Sequence, residues 1–197
     1  MTRHRRAVRL LLIAAALLAA APAADAFVVE AKGVYFRPSE SAFREIYGGG
    51  LCFGGEVTVG LAGPFALWAS ADYFSKTGAL TLTGEEAKLR VVPILAGLKL
   101  RFGPVGRVRP YLAAGPGYFQ YKEKSVIGVV EKGSLGFAAK AGACLELPGG
   151  VLFDVQAGYT RCVVKPQEIE ADIGGFQVAL GIGFEIGPKT SSPKEPS

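Results

Sequence analysis

The sequence predicts an all-β chain, an eight-stranded antiparallel up-and-down transmembrane β-barrel with short periplasmic turns and four longer extracellular loops. Three observations carry that expectation. Eight segments alternate apolar residues with small or polar ones, the period of a strand with one greasy face. The connections between them run long, short, long, short, long, short, long, as in a membrane barrel. The composition, 50% hydrophobic with 27 Gly and only 20% charged residues in 197, suits a solvent other than water.

Residues 1–26 read as a signal peptide cut after Ala26. Arg3, Arg5, Arg6 and Arg9 precede an apolar run of about a dozen residues, short of the roughly 20 that span a bilayer, and Ala24 and Ala26 suit the cleavage site. Removing the leader takes away four Arg and one Asp, so the formal +5 is not a nucleic-acid signal. It also removes His4, the one histidine, and with it the commonest general base and metal ligand.

The first strand, residues 27–36, sets Phe27, Val29, Ala31, Gly33 and Tyr35 against Val28, Glu30, Lys32 and Val34. A long loop with a helical turn near Ser41 leads to the second, 51–61, and Ala62-Gly63-Pro64 turns it into the third, 65–74. After a second long loop, 75–87, the fourth strand covers 88–102. Leu89 and Val91 stand out of phase there with Ile94, Ala96, Leu98 and Leu100, which predicts a bulge near Pro93. The fifth strand covers 107–121, and 122–134 reads as a third long loop. The sixth and seventh, 135–147 and 151–160, flank the turn Pro148-Gly149-Gly150; a fourth long loop precedes the eighth, 175–186. The barrel domain is therefore 27–187, and the Pro- and Ser-rich residues 188–197 form a disordered periplasmic tail.

Volume decides which face is inside. An eight-stranded barrel leaves room for little more than its own side chains, and about forty Leu, Val, Ile, Phe and Ala residues would overfill it. The apolar face is therefore assigned to lipid rather than to the core of a soluble lipocalin-like barrel. The other face carries Glu30, Glu56, Asp72, Glu146, Asp154 and Glu185 with Lys32, Lys99, Arg101, Arg109, Lys140 and Arg90, a predicted lumen charge network of six carboxylates and six cations. Enclosed charges must pair, so this lumen is expected to be plugged. Phe27, Phe65, Phe102 and Phe184 fall at the periplasmic ends of the strands. Tyr35, Phe53, Tyr73, Tyr118, Phe137, Tyr159 and Phe176 fall at the other ends, as two interfacial aromatic girdles require.

The strand and loop pattern over 27–187, with Pro110-Tyr-Leu-Ala-Ala-Gly-Pro-Gly-Tyr118 and the Phe-rich last strand, resembles the small OmpA/OmpX-type outer-membrane β-barrels. The resemblance implies a bacterial outer-membrane location with both termini periplasmic. It also implies monomeric insertion by the barrel-assembly machinery and contact with outer-membrane lipid and lipopolysaccharide. The chain departs from the pattern in carrying residues after the last aromatic strand, and no peptidoglycan-binding domain follows. A non-enzymatic structural or surface-interaction role is expected, without cofactor, metal or nucleic acid. A narrow porin-like channel or small-ligand carrier is the alternative; a lipid A-modifying enzyme lacks its histidine. Cys52, Cys144 and Cys162 permit at most one bridge, with Cys52 and Cys162 as the pair nearest the same rim.

Overall fold

The computed structural model describes residues 27–79, 86–125, 128–164 and 171–187. The leader, the tail and parts of three long connections lie outside the described residues. The strands are β1 (Phe27–Pro38), β2 (Gly50–Gly60), β3 (Phe65–Ala79), β4 (Glu86–Arg101), β5 (Val108–Ser125), β6 (Gly128–Glu146), β7 (Val151–Arg161) and β10 (Gly175–Ile186). A helix α1 (Ser41–Tyr47) follows β1, and a two-residue hairpin, β8 (Val163–Val164) with β9 (Ala171–Asp172), precedes β10. The eight long strands close in the order β1-β10-β7-β6-β5-β4-β3-β2, every pair antiparallel, so no edge is left unpaired.

Short connections gather at one end, where Gly63 (φ 66°) and Gly149 (φ 86°) adopt left-handed turn conformations open to glycine. Long connections gather at the other. β3 to β6 are 15 to 19 residues long against 11 or 12 for β1, β2, β7 and β10, so the wall stands taller on one side at the loop end. Part of that height corrects the reading of 122–134 as a loop: β5 and β6 stay paired out to Ser125 and Gly128.

β4 corrects a second expectation. Its register to β3 and β5 holds one phase from Lys88 to Arg101, without a bulge at Pro93. Leu89 and Val91 are buried, on the same inward face as Pro93, Leu95 and Lys99. The hydrophobic pattern inverts because the interior itself changes. Toward the loop end the bore is filled by Val34, Phe36, Phe74, Leu89, Val91, Leu95, Phe119 and Tyr121, packed like the core of a soluble protein.

α1 closes that core by adding Phe43 and Tyr47, both 7% exposed. Its approach to β3 is close enough that a Cβ on Gly78 would lie 2.2 Å from the Ile46 carbonyl oxygen, so only glycine fits there. Gly48 (φ 64°) ends the helix, its N–H donating to the Arg44 carbonyl. The β8–β9 hairpin adds Ile173 from the other side, pinned where Asp172 Oδ1 accepts from the Cys162 and Gly174 amides.

The outer surface is the reverse of a soluble protein's. Phe53 is 69% exposed, Leu51 66%, Leu180 65% and Phe176 63%. Contiguous apolar area on this scale marks a surface solvated by something other than water. No helix among the described residues is long and apolar enough to cross a membrane; the strands are the elements sized to do so.

Candidate functional site in the barrel bore

Alternation places one set of side chains in the bore. β1 contributes Glu30 and Lys32, β2 Glu56 and Thr58, β3 Trp68 and Asp72, β4 Lys99, β5 Tyr111, β6 Lys140 and Cys144, and β7 Asp154 and Gln156. These side chains meet across the barrel axis between the apolar core above and the turn end below.

Glu56, whose side chain is 0% exposed, is the hub. Its carboxylate accepts from Lys32 Nζ at 3.0 Å, from Lys99 Nζ at 2.6 Å and from Lys140 Nζ. Lys32 donates as well to Asp154 Oδ2 at 2.9 Å and Gln156 Oε1 at 2.9 Å, and stands 3.6 Å from Glu30. That ammonium offsets the like charges of Glu30 and Glu56, which are direct neighbours in the β1–β2 register. Lys99 also donates to Thr58 Oγ1 at 2.9 Å. Lys140 lies 3.6 Å above the Trp68 ring and Lys99 4.5 Å above the Tyr111 ring, cation–π contacts between buried side chains. Tyr111 Oη is 3.0 Å from both oxygens of Asp154 and 2.9 Å from Gln156 Oε1.

Glycines let these partners reach one another. Gly181 stands between Lys32 and Asp154 in one row of the sheet, and a Cβ there would sit 3.2 Å from Lys32 Cγ and 3.3 Å from Asp154 Cβ. Gly142 stands likewise between Tyr111 and Gln156, where a Cβ would come within 2.5 Å of the Tyr111 hydroxyl.

Below the knot a cavity of about 40 Å³ opens toward the turn end, lined by Glu30, Arg101, Arg109, Cys144, Glu146 and Glu185 among others. Arg109 pairs with Glu146 at 2.8 Å, both about one-third exposed. Glu30, Cys144 and Asp154 bring ligand atoms within 4.8 Å of one another, a spacing a metal ion could use. The Lys32 ammonium already provides a cation to both carboxylates.

Of the predicted lumen charges, Arg90 lies elsewhere. It is exposed on the outer face, 5.5 Å from the Tyr73 ring centroid, because β4 keeps one phase and its even-numbered residues point outward. Of the predicted set, five cations and six carboxylates therefore remain inside. The structure places Glu30, Lys32, Glu56, Asp72, Lys99, Lys140 and Asp154 around the knot and Arg101, Arg109, Glu146 and Glu185 at the turn-end cavity. The aromatic residues Phe27, Phe65, Phe102 and Phe184 face outward near the turn end. Tyr35, Phe53, Tyr73, Tyr118, Phe137, Tyr159 and Phe176 do so toward the loop end, where Tyr159 and Phe176 pack at 5.0 Å. Tyr111, Gln156, Thr58 and Trp68 were not singled out from the sequence. Their only signal is shared parity with the charged residues. The three cysteines are free thiols, which corrects the suggested Cys52–Cys162 bridge. Cys52 sits in the apolar core of the bore, and Cys162 Sγ lies 3.8 Å from the Leu135 carbonyl oxygen.

No protein-family model and no curated protein matches the chain. Solved structures do. Ail, the attachment invasion locus protein of Yersinia pestis, in complex with the heparin analogue sucrose octasulfate, matches at 15% identity and TM-score 0.58, over 82% of this chain and 98% of that one. Neisserial surface protein A matches at 16% identity and TM-score 0.57, over 83% and 99%. The N-terminal β-barrel domain of Pseudomonas aeruginosa OprF matches at 15% and 0.53, over 83% and 98%. All three agree with the closed eight-stranded topology, and the chain has the fold of the small eight-stranded outer-membrane β-barrels.

Proposed function

We propose that the protein is an integral outer-membrane barrel with a structural or surface-interaction role, its bore closed by the lysine–carboxylate knot. The observation that carries this reading is Glu56, inaccessible to solvent while it holds three lysines across the axis. Three enclosed ammonium groups are tolerable only where carboxylates meet them, and a bore cross-linked in this way has no path for solute. The cavity below the knot, about 40 Å³, has room for a few waters at most, since one water needs roughly 10–15 Å³. Above the knot the aromatic core and α1 fill the mouth.

In this reading the exposed apolar wall meets lipid and the outward aromatics form its two girdles. The short turns and both termini are periplasmic, and the protein works as a monomer inserted by the barrel-assembly machinery. With no imidazole after leader cleavage, a non-enzymatic role fits the chemistry better than acyl transfer or proteolysis. Surface display, with the tall β3–β6 wall as the presenting element, is the role that the uneven strand lengths support.

Two measurements test the proposal. Expressed in a Gram-negative host, the protein should appear in the outer-membrane fraction and migrate differently on a gel before and after boiling; recovery as a soluble periplasmic protein would refute it. In a planar bilayer it should give no resolved single-channel steps. Regular conductance steps would replace the plugged-barrel reading with the narrow channel.

A further inference from the structure

The register assigns a purpose to charges that look mixed in the sequence. Across the tall wall, outward residues of β3, β4, β5 and β6 line up in rows. One row is Ala71, Ile94, Tyr118 and Leu135, and beyond it the Tyr118 ring leans over Gly133, whose Cβ would fall 1.8 Å from the hydroxyl. Toward the loop end, past the row of Val92, Gln120 and Gly133, come Ser75, Arg90, Lys122 and Glu131, then Thr77, Lys88, Lys124 and Val129. Within two rows, about 7 Å each along the strand, the wall changes from apolar and aromatic to strongly basic.

Four cations thus form a square: Lys88 directly opposite Lys124, and Arg90 directly opposite Lys122. All four are exposed on the same face. Like charges opposed on neighbouring strands destabilise a sheet, so this arrangement works against folding unless an anion occupies it. The acidic neighbours among the described residues do little to neutralise it. Glu123, between Lys122 and Lys124 in sequence, points to the other face and accepts from the Tyr47 and Tyr121 hydroxyls. Among the described side chains, Glu131 alone shares these two rows, 3.6 Å from Lys122, in a pair whose side chains are 47% and 40% exposed, and such exposed pairs are weak. Arg90 lies 5.5 Å from the Tyr73 ring centroid, which ties the square to the aromatic row below it.

We infer that Lys88, Arg90, Lys122 and Lys124 form a binding site for the phosphate of a lipid headgroup in the leaflet at the loop end. This inference rests on the membrane reading above. Aromatic residues mark the headgroup level of a membrane protein, and a headgroup phosphate lies at or just beyond it, the height of the square. Arg offers a fork matched to phosphate oxygens, and three lysines add charge around it. A phosphate-bearing glycolipid with two phosphates on one headgroup matches a square of four cations better than a monophosphate does.

The test uses the full mature protein refolded into phosphatidylcholine nanodiscs containing a minor fraction of bisphosphorylated lipid A. Matched discs carry dephosphorylated lipid A, or phosphatidylcholine alone with inorganic phosphate in the buffer. Native mass spectrometry after release into detergent reads the retained lipid. Lipid A should be retained by the wild type and its dephosphorylated form should not. Each basic group near a charged membrane surface contributes on the order of 1 kcal/mol, so Arg90→Gln/Lys122→Gln should lower retention about tenfold or more. Lys88→Arg/Lys124→Arg, which keeps the charge, should preserve it, and Arg37→Gln, an exposed outward cation on β1, should not alter it. Equal retention of lipid A by Arg90→Gln/Lys122→Gln, with normal heat-modifiable insertion, would overturn the site and leave the membrane reading intact. Competition by inorganic phosphate as strong as that by lipid A would overturn the assignment to a lipid. Failure of the wild type to insert would instead overturn the membrane reading.

Discussion

Replacing Glu56 by Gln keeps the size of the side chain and removes the charge at the centre of the knot. Its partners then fare unequally. Lys32 keeps Asp154 at 2.9 Å and Gln156 at 2.9 Å, and Lys99 keeps Thr58 at 2.9 Å. Lys140 keeps the face of Trp68 at 3.6 Å and the nearby charge of Asp72. Removing one partner of a buried ion pair costs about 3–5 kcal/mol, because the other charge is left enclosed. With Glu30 3.6 Å from Lys32 and Asp154 closer still, a loss near the lower end, about 3 kcal/mol, is expected. Trp68 is the one tryptophan, 2% exposed and in contact with Lys140, so its emission reports on the knot directly. The assay is urea unfolding of refolded protein in phosphatidylcholine vesicles, followed by that emission and by the gel shift. A loss below about 1 kcal/mol, the worth of an exposed pair, would refute the reasoning by showing that the bore is hydrated. Glu56→Gln/Lys140→Met should recover part of the loss, since removing both partners leaves no orphaned charge there.

Gly115→Val should abolish barrel closure, read as loss of the heat-modifiable band, because even a Cβ at Gly115 would fall 2.0 Å from the Ala96 carbonyl oxygen on β4. Gly33→Ala, with nothing within 4 Å of the added carbon, is the matched control and should insert normally. All three thiols should be counted as free in unreduced protein after unfolding, and Cys52 and Cys162, 4% and 1% exposed, should resist maleimide until then. In α1, burial and then the bond to Glu123 push the Tyr47 phenol above the ordinary tyrosine value, so its neutral form belongs to the folded state. The stability this provides is complete below the ordinary value and is lost as pH rises beyond it. Proteolysis of the α1 segment should therefore accelerate only above about pH 10, and Tyr47→Phe should remove that step.

How much of this was legible in the chain differs from element to element. β10 shows why a membrane barrel can be read from one dimension. Its outward Phe176, Val178, Leu180, Ile182, Phe184 and Ile186 alternate without a break, and its observed bounds, Gly175–Ile186, coincide with the expected strand. β4 shows the limit. Where the bore is polar the apolar residues point out; where it is an aromatic core they point in. Leu89 and Val91 therefore mimicked a slipped strand, and Arg90 was assigned to the wrong face. Alternation reports a difference between faces, and the sign of that difference is set by what fills the interior at that height.

By itself the sequence determined the strand number, the alternation of long and short connections, the apolar wall and which charges could share the bore, because period-two patterning and turn chemistry are local. Only the tertiary structure decided who meets whom. That Lys32 reaches Asp154 across Gly181, and that Lys88 and Arg90 face Lys124 and Lys122, depends on the register of paired strands, which joins residues far apart in the chain.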